Sequence, residues 1–256
     1  MDELKIKSTL DGRIESSLFY YPEGGNKVPL VVGLHTWSHG RSNQLNNYLP
    51  LCQARKWALL LPEFRGANLL SNPNCREACG ALPARQDIMD AVDYVVQNYS
   101  IDEESIFLLG CSGGGHMALL MGAFAPELWR AIKVWCPVVD LVSWFAYYGR
   151  HNSYAAELEA CLGAIPEDNM VLYRERSPIF QVEKLKDLTI YLHHGKHDGV
   201  VPCDDSKRFI QKMEALEAPE FYYDIFDGGH EQYPADSFRW FDRLVNMGDR
   251  AVNITG

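Results

Sequence analysis

Apolar residues in this chain fall into short unbroken runs, separated by longer stretches in which they recur every three or four positions. Runs of that length read as strands buried on both faces, and the stretches between them as the helices that cover the faces. The runs predict strands at residues 28–34, 57–62, 105–109, 131–138, 188–193 and 220–226, with helices near 43–55, 83–98, 114–124 and 206–216 and a last one at 234–247. Two further strands, 4–9 and 13–21, flank the turn dipeptide Asp11-Gly12 and are expected to be antiparallel. The expectation is one α/β domain over residues 1–256, a mostly parallel eight-stranded sheet with helices on both faces.

The alternation breaks between Asp140 and about Arg176. This stretch carries Trp144, Phe145, Tyr147, Tyr148, His151 and Tyr154, then the polar run Pro166-Glu167-Asp168-Asn169. It predicts a small helical lid on the strand-end edge. Trp144, Phe145 and Tyr148 are the expected substrate-binding residues there, with the loop 64–84 as the opposite wall.

Candidate chemistry centres on Gly110-Cys111-Ser112-Gly113-Gly114. The bare G-x-S-x-G pattern arises by chance in about one chain in ten of this length, so its setting carries the argument. A buried strand runs into it and a helix runs out of it, and a serine on such a turn has its hydroxyl lifted above the sheet edge. The lysine of a phosphate-cradling loop is missing.

A serine hydroxyl needs a base to become a nucleophile. Asp198 follows the strand 188–193 in a short turn, and His230 follows the strand 220–226, so nucleophile, acid and base occur in the order Ser, Asp, His, each just past a strand end. Asp140, past the strand 131–138, is a rival acid. His193, His194 and His197 beside Asp198 raise a metal reading, but their spacing fits neither H-E-x-x-H nor a Cys/His zinc pattern, and neither metal nor cofactor is expected. His116 reads as packing within the helix. Acyl transfer also needs oxyanion donors, for which the Gly113 amide and a loop amide after residue 34 are the candidates, Trp37 ahead of Thr36.

Composition changes the picture little. With 47% hydrophobic and 23% charged residues, the chain has ample material for one core. A formal charge of −10 argues against a nucleic-acid partner. No apolar leader opens the sequence and no uninterrupted run reaches membrane-spanning length, so the expectation is a cytoplasmic protein with no membrane partner, an exported precursor being compatible. The seven cysteines are scattered and read as reduced. Glu77-Ala78-Cys79 recurs as Glu159-Ala160-Cys161, and in an exported protein Cys79 and Cys161 are the expected bridge.

Together, the loop after Leu34-His35, the strand end Pro62-Glu63-Phe64-Arg65-Gly66, the serine elbow and Gly228-Gly229-His230 resemble an α/β-hydrolase. More narrowly, they resemble the catalytic domain of prolyl oligopeptidase-family serine hydrolases and the single-domain esterases related to it. Many such hydrolases have glycine after the loop histidine, where this chain has Thr36. The resemblance implies a cofactor-independent serine hydrolase with the triad Ser112, Asp198 and His230. The expected substrate is a small-molecule carboxylic ester with a short-chain acyl or aryl group. The alternatives are a peptidase acting on short peptides and a catalytically silent binding module. The sequence leaves the oligomeric state open.

Overall fold

The computed structural model describes residues 1–24, 26–149 and 152–252, the last six by backbone alone; His151 lies outside them. In chain order the elements are β1 (Asp2–Lys7), β2 (Ile14–Tyr20), β3 (Val28–Leu34), α1 (Leu45–Arg55), β4 (Ala58–Pro62), α2 (Leu82–Asn98), β5 (Ile101–Cys111), α3 (Gly113–Phe124) and β6 (Ala131–Trp135). There follow α4 (Leu141–Tyr148), α5 (Ser153–Leu162), α6 (Met170–Glu175), α7 (Val182–Leu185), β7 (Ile190–Gly195), α8 (Cys203–Ala215), β8 (Phe221–Phe226) and α9 (Pro234–Val252).

All eight strands form one sheet in the order β1-β2-β4-β3-β5-β6-β7-β8, antiparallel from β1 to β4 and parallel from β4 to β8. The chain builds outward from β3 to β4, then crosses back to lay β5 on the other side of β3. The connections therefore diverge between the carboxyl ends of β3 and β5, and a crevice opens there.

Side-chain alternation assigns each strand to two cores at once. Leu30, Val32 and Leu34 of β3, with Ile106 and Leu108 of β5, join the core under α2, α3 and α8. Val31, Phe107 and Leu109 join Tyr48 of α1 and Phe238 and Phe241 of α9 on the other face. A strand buried this way has no polar side to show, which is why these segments read as continuous apolar runs.

Several boundaries differ from the sequence pattern. β5 starts at Ile101 because Ile101 pairs with Val28 across an irregularity in the β3–β5 register, carrying the polar Asp102-Glu103-Glu104 into the strand. β6 stops at Trp135 because Cys136 turns left-handed, with φ 45°. Its amide reaches the His193 carbonyl at 2.7 Å.

Between β6 and β7, helices α4, α5 and α6 of the segment read as a lid pack around a third apolar core of Trp144, Phe145, Leu158, Cys161, Leu162 and Tyr173. Cys79 reaches into that core, its thiol in hydrogen-bond contact with that of Cys161, and both thiols are free. Among the described residues no helix is long and apolar enough to cross a membrane.

After β4, Phe64, Arg65 and Gly66 take positive φ in succession, at 38°, 73° and 81°. The turn aims the Arg65 side chain inward, where it is fully buried. Its guanidinium donates to Asp87 of α2 at 2.5 and 3.1 Å, to Asp11 of the β1–β2 turn at 2.8 and 3.1 Å, and to Glu77 at 2.8 Å. One cation thus ties three separate segments together. Removing one member of a buried ion pair leaves the other uncompensated. Arg65→Met is therefore expected to cost about 3–5 kcal/mol of stability in urea unfolding; a loss below about 1 kcal/mol would show that the network does not hold the fold.

Candidate active site

Ser112 stands between the last residue of β5 and the first of α3, with φ 58° and ψ −122°. A non-glycine residue in that region carries a strain of about 1–3 kcal/mol and persists only when its surroundings over-determine it. Here its amide bonds the Trp135 carbonyl of the neighbouring strand at 2.9 Å, and its carbonyl takes the His116 amide at 3.0 Å. The turn closes so tightly that a Cβ on Gly110 would lie 2.2 Å from the Gly114 oxygen.

Asp198 sits in a turn closed by its own amide on Gly195 O at 3.2 Å. Its buried Oδ1 accepts the Val200 and Val201 amides at 2.8 and 2.9 Å, and its Oδ2 accepts Nδ1 of His230 at 2.7 Å. Burial alone would raise the carboxyl pKa. The hydrogen bonds from His194, His230 and Val201 outweigh that and hold it well below the ordinary carboxylate range. Because an ionised carboxylate accepts, His230 carries its hydrogen on Nδ1, which leaves Nε2 as the basic nitrogen. His230 and Ser112 line one cleft of about 370 Å³. No hydrogen bond joins them in this resting arrangement; such contacts tighten when substrate arrives.

The rival groups are engaged elsewhere. Asp140 caps α4, accepting the Val142 and Ser143 amides at 3.0 and 3.1 Å, and pairs with Arg208 at 3.0 Å. His116 Nε2 donates to Arg176 O, 2.7 Å away, and burial lowers the His116 pKa to about 4. His193 stacks between Trp135 and Tyr191, both at 4.1 Å. The exposed His197 pairs with Asp227 at 2.9 Å. His194 is a partner that sequence reasoning passed over. Its Nε2 lies 3.1 Å from Asp198 Oδ2 and 3.0 Å from Val201 O, while Nδ1 meets Ser206 Oγ at 2.7 Å. Two acceptors at Nε2 mean that it carries the hydrogen, so Asp198 receives a second histidine N–H. The alternation of side chains along β7 was the available signal: of two adjacent histidines, only one can face α8. Cys136, His194 and Asp198 bring ligand-type atoms within 4.8 Å of one another, yet each of these atoms already has a protein partner.

Of the candidate oxyanion donors, the Gly113 amide heads α3 and has no carbonyl behind it to bond. The Thr36 amide is taken by Asn43 Oδ1 at 3.1 Å, whereas the Trp37 amide has no partner among the described residues. A Cβ on Gly113 would stand 2.6 Å from Trp37 N, so the backbones of the two residues lie against each other. The Trp37 indole donates to Glu157 Oε2 of the lid at 2.8 Å and meets Trp144 edge-on at 4.7 Å. Burial raises the Glu157 pKa, and the indole bond partly offsets it.

The expected substrate-binding aromatics do not line the cleft beside Ser112. Trp144 is 1% exposed and donates to Val200 O at 3.0 Å. Phe145 packs on Tyr173, and the Tyr148 hydroxyl bonds Val200 O at 2.7 Å. Their apolar bulk goes into closing the lid core. Of the loop 64–84, Cys75 and Cys79 pack on the lid, and none of its residues lines the cleft. Tyr154 and Val200 face Ser112 instead, and polar residues from the start of α1 and from the segment after His230 complete the cleft. These had no motif to announce them.

The prolyl oligopeptidase family model matches residues 75–253. The chain is 21% identical over 201 residues to acylamino-acid-releasing enzyme 1 of Oryza sativa subsp. japonica, covering 73% of this chain and 25% of that protein. It is 23% identical over 221 residues to esterase LipC of Mycobacterium tuberculosis, covering 79% and 52%. Among solved structures it superposes on the acylaminoacyl peptidase of Pyrococcus horikoshii with a TM-score of 0.74 at 21% identity, over 97% of this chain and 41% of that one. The chain thus spans between a quarter and about half of these relatives.

The approach of Gly113 to Trp37 can be tested directly. Gly113→Ala should force the two amides apart without unfolding the protein and lower kcat by about 10²–10³ with KM little changed, as loss of an oxyanion donor does. Turnover within twofold of the parent would remove the Gly113–Trp37 pair from the reaction.

Proposed function

Because this chain belongs to the prolyl oligopeptidase family, we propose that it is a serine hydrolase whose substrates are small carboxylic esters, turned over through an acyl-enzyme by Ser112, His230 and Asp198. The observation that carries the reading is the Asp198–His230 pair opening on the same cleft as a serine held in a strained elbow. Ser112 Oγ attacks the ester carbonyl as His230 Nε2 takes its proton. The oxyanion settles on the Gly113 and Trp37 amides at the positive end of α3. As the C–O bond breaks, His230 returns the proton to the departing alcohol. Water then attacks the acyl-enzyme by the same route, and Asp198 stays ionised throughout to stabilise the imidazolium.

The choice of ester over peptide rests on the lining of the cleft. No lysine or arginine lines it among the described residues. Of the nearby carboxylates, Glu157 accepts from the Trp37 indole and Glu231 from the Gly229 amide at 3.2 Å. The cleft therefore has no cation for a peptide's carboxyl terminus, and the likeness to an esterase points the same way. The peptidase reading stands second, on the likeness to acylamino-acid-releasing enzymes.

Ser112→Ala and His230→Ala should keep the native circular dichroism and lose about 10⁴-fold or more in kcat, and Ser112→Ala should abolish labelling by a fluorophosphonate. Asp198→Asn should lose much of the activity and Asp140→Asn little; the reverse order would move the acid to Asp140.

Aryl and short-chain acyl esters should be cleaved with kcat/KM at least about 100-fold above matched aminoacyl or dipeptidyl arylamides, a gap of about 2.7 kcal/mol. Equal or better rates on the arylamides would promote the peptidase reading.

A further inference from the structure

Resting on the esterase reading, we propose that the alcohol half of the substrate is a hydroxyl-rich ring, so that the enzyme removes short acyl groups from carbohydrate-type polyols. One rim of the cleft consists of four side-chain amides, Asn43, Gln44, Asn47 and Gln232. The orientation of all four follows from a single backbone donor. The Thr36 amide donates to Asn43 Oδ1 at 3.1 Å, which makes that atom the oxygen. Gln44 must then present its Nε2 to the same oxygen, at 2.8 Å, and its Oε1 to the other side. There Oε1 accepts Asn47 Nδ2 at 3.0 Å and Gln232 Nε2 at 2.9 Å, and Gln232 Oε1 takes the Tyr48 hydroxyl at 3.0 Å. Gln44, the hub, is only 2% exposed.

Two of the amide atoms remain without a bond. Asn43 Nδ2 and Asn47 Oδ1 have no partner among the described residues, so the rim offers a donor and an acceptor held apart by a fixed network. Neighbouring sugar hydroxyls each donate and accept, and they match such a pair without needing charge. An apolar or aryl alcohol would bury these amide groups without partners, which costs more than the bonds themselves are worth. Because the network is already ordered, binding would not need to immobilise it. Asn43 also holds the amide next to Trp37, so the rim adjoins the proposed oxyanion site.

The other side of the cleft is formed by Tyr154 and Val200, and the space behind Tyr154 is filled by Trp144 at a ring distance of 4.9 Å. That wall offers a short acyl group an apolar face. An acetylated sugar therefore finds partners on both sides, whereas an alcohol without further hydroxyls leaves the rim amides unpaired.

The test compares kcat/KM for a methyl pyranoside monoacetate with that for cyclohexyl acetate, each divided by its hydroxide-catalysed rate so that leaving-group chemistry cancels. The normalised preference for the pyranoside should be at least about tenfold in the parent enzyme and should fall about tenfold in Asn47→Leu. A parent preference near one would overturn the carbohydrate assignment while p-nitrophenyl acetate turnover, abolished by Ser112→Ala, kept the esterase reading. A preference that survives Asn47→Leu unchanged would overturn the role of the amide rim. Failure to hydrolyse any acetate, p-nitrophenyl acetate included, would overturn the esterase reading itself and this inference with it.

Discussion

Everything at the strand-end edge depends on one close approach, the packing of the turn at Ser112 against the loop that leaves β3. Gly113 comes so near Trp37 that a single methyl group would collide with its amide nitrogen. That contact brings two backbone amides without carbonyl partners close together next to Ser112. The contact exists because β3 and β5 are neighbours in the sheet although α1, β4 and α2 separate them in sequence. The strained backbone of Ser112 is a consequence of the same geometry: the chain must turn from strand to helix within one residue, and the hydrogen bonds on either side leave it no alternative.

The lid is bonded into this arrangement at several points and does not simply rest over it. The Trp37 indole donates to Glu157, and the Val200 carbonyl accepts from both Trp144 and Tyr148. Glu157 and the lid aromatics thus hold the loop after β3 on one side and the turn carrying Asp198 on the other. Large rings are well suited to this, since each buries much apolar surface while keeping one polar handle for a directed bond. Asp198 is constrained further by His194 from behind, so that the acid is oriented by two histidines, one buried and one facing the cleft.

The polar rim follows a related logic. Side-chain amides are usually ambiguous in orientation, but here one backbone N–H propagates through four of them and specifies which atoms remain for a ligand. A binding surface ordered in that way selects by the pattern of donors and acceptors it leaves open, a stricter criterion than apolar fit.

Strand order in the sequence, the serine elbow, and the aspartate and histidine each just past a strand end were legible in the chain itself. They depend on local periodicity and on turn chemistry, which short segments encode directly. The lid was legible as an interruption, but the direction of its aromatics was not, and Trp144, Phe145 and Tyr148 read as pocket walls although they pack inward. The second histidine on Asp198 and the amide rim were equally out of reach. Each depends on contacts between residues far apart in sequence, up to 188 positions between Gln44 and Gln232. Local pattern determines which elements form and what chemistry they can carry, whereas the crossing of β3 and β5 and the packing of the lid decide which of those groups meet, because proximity across a sheet edge is a property of the closed fold and not of any segment.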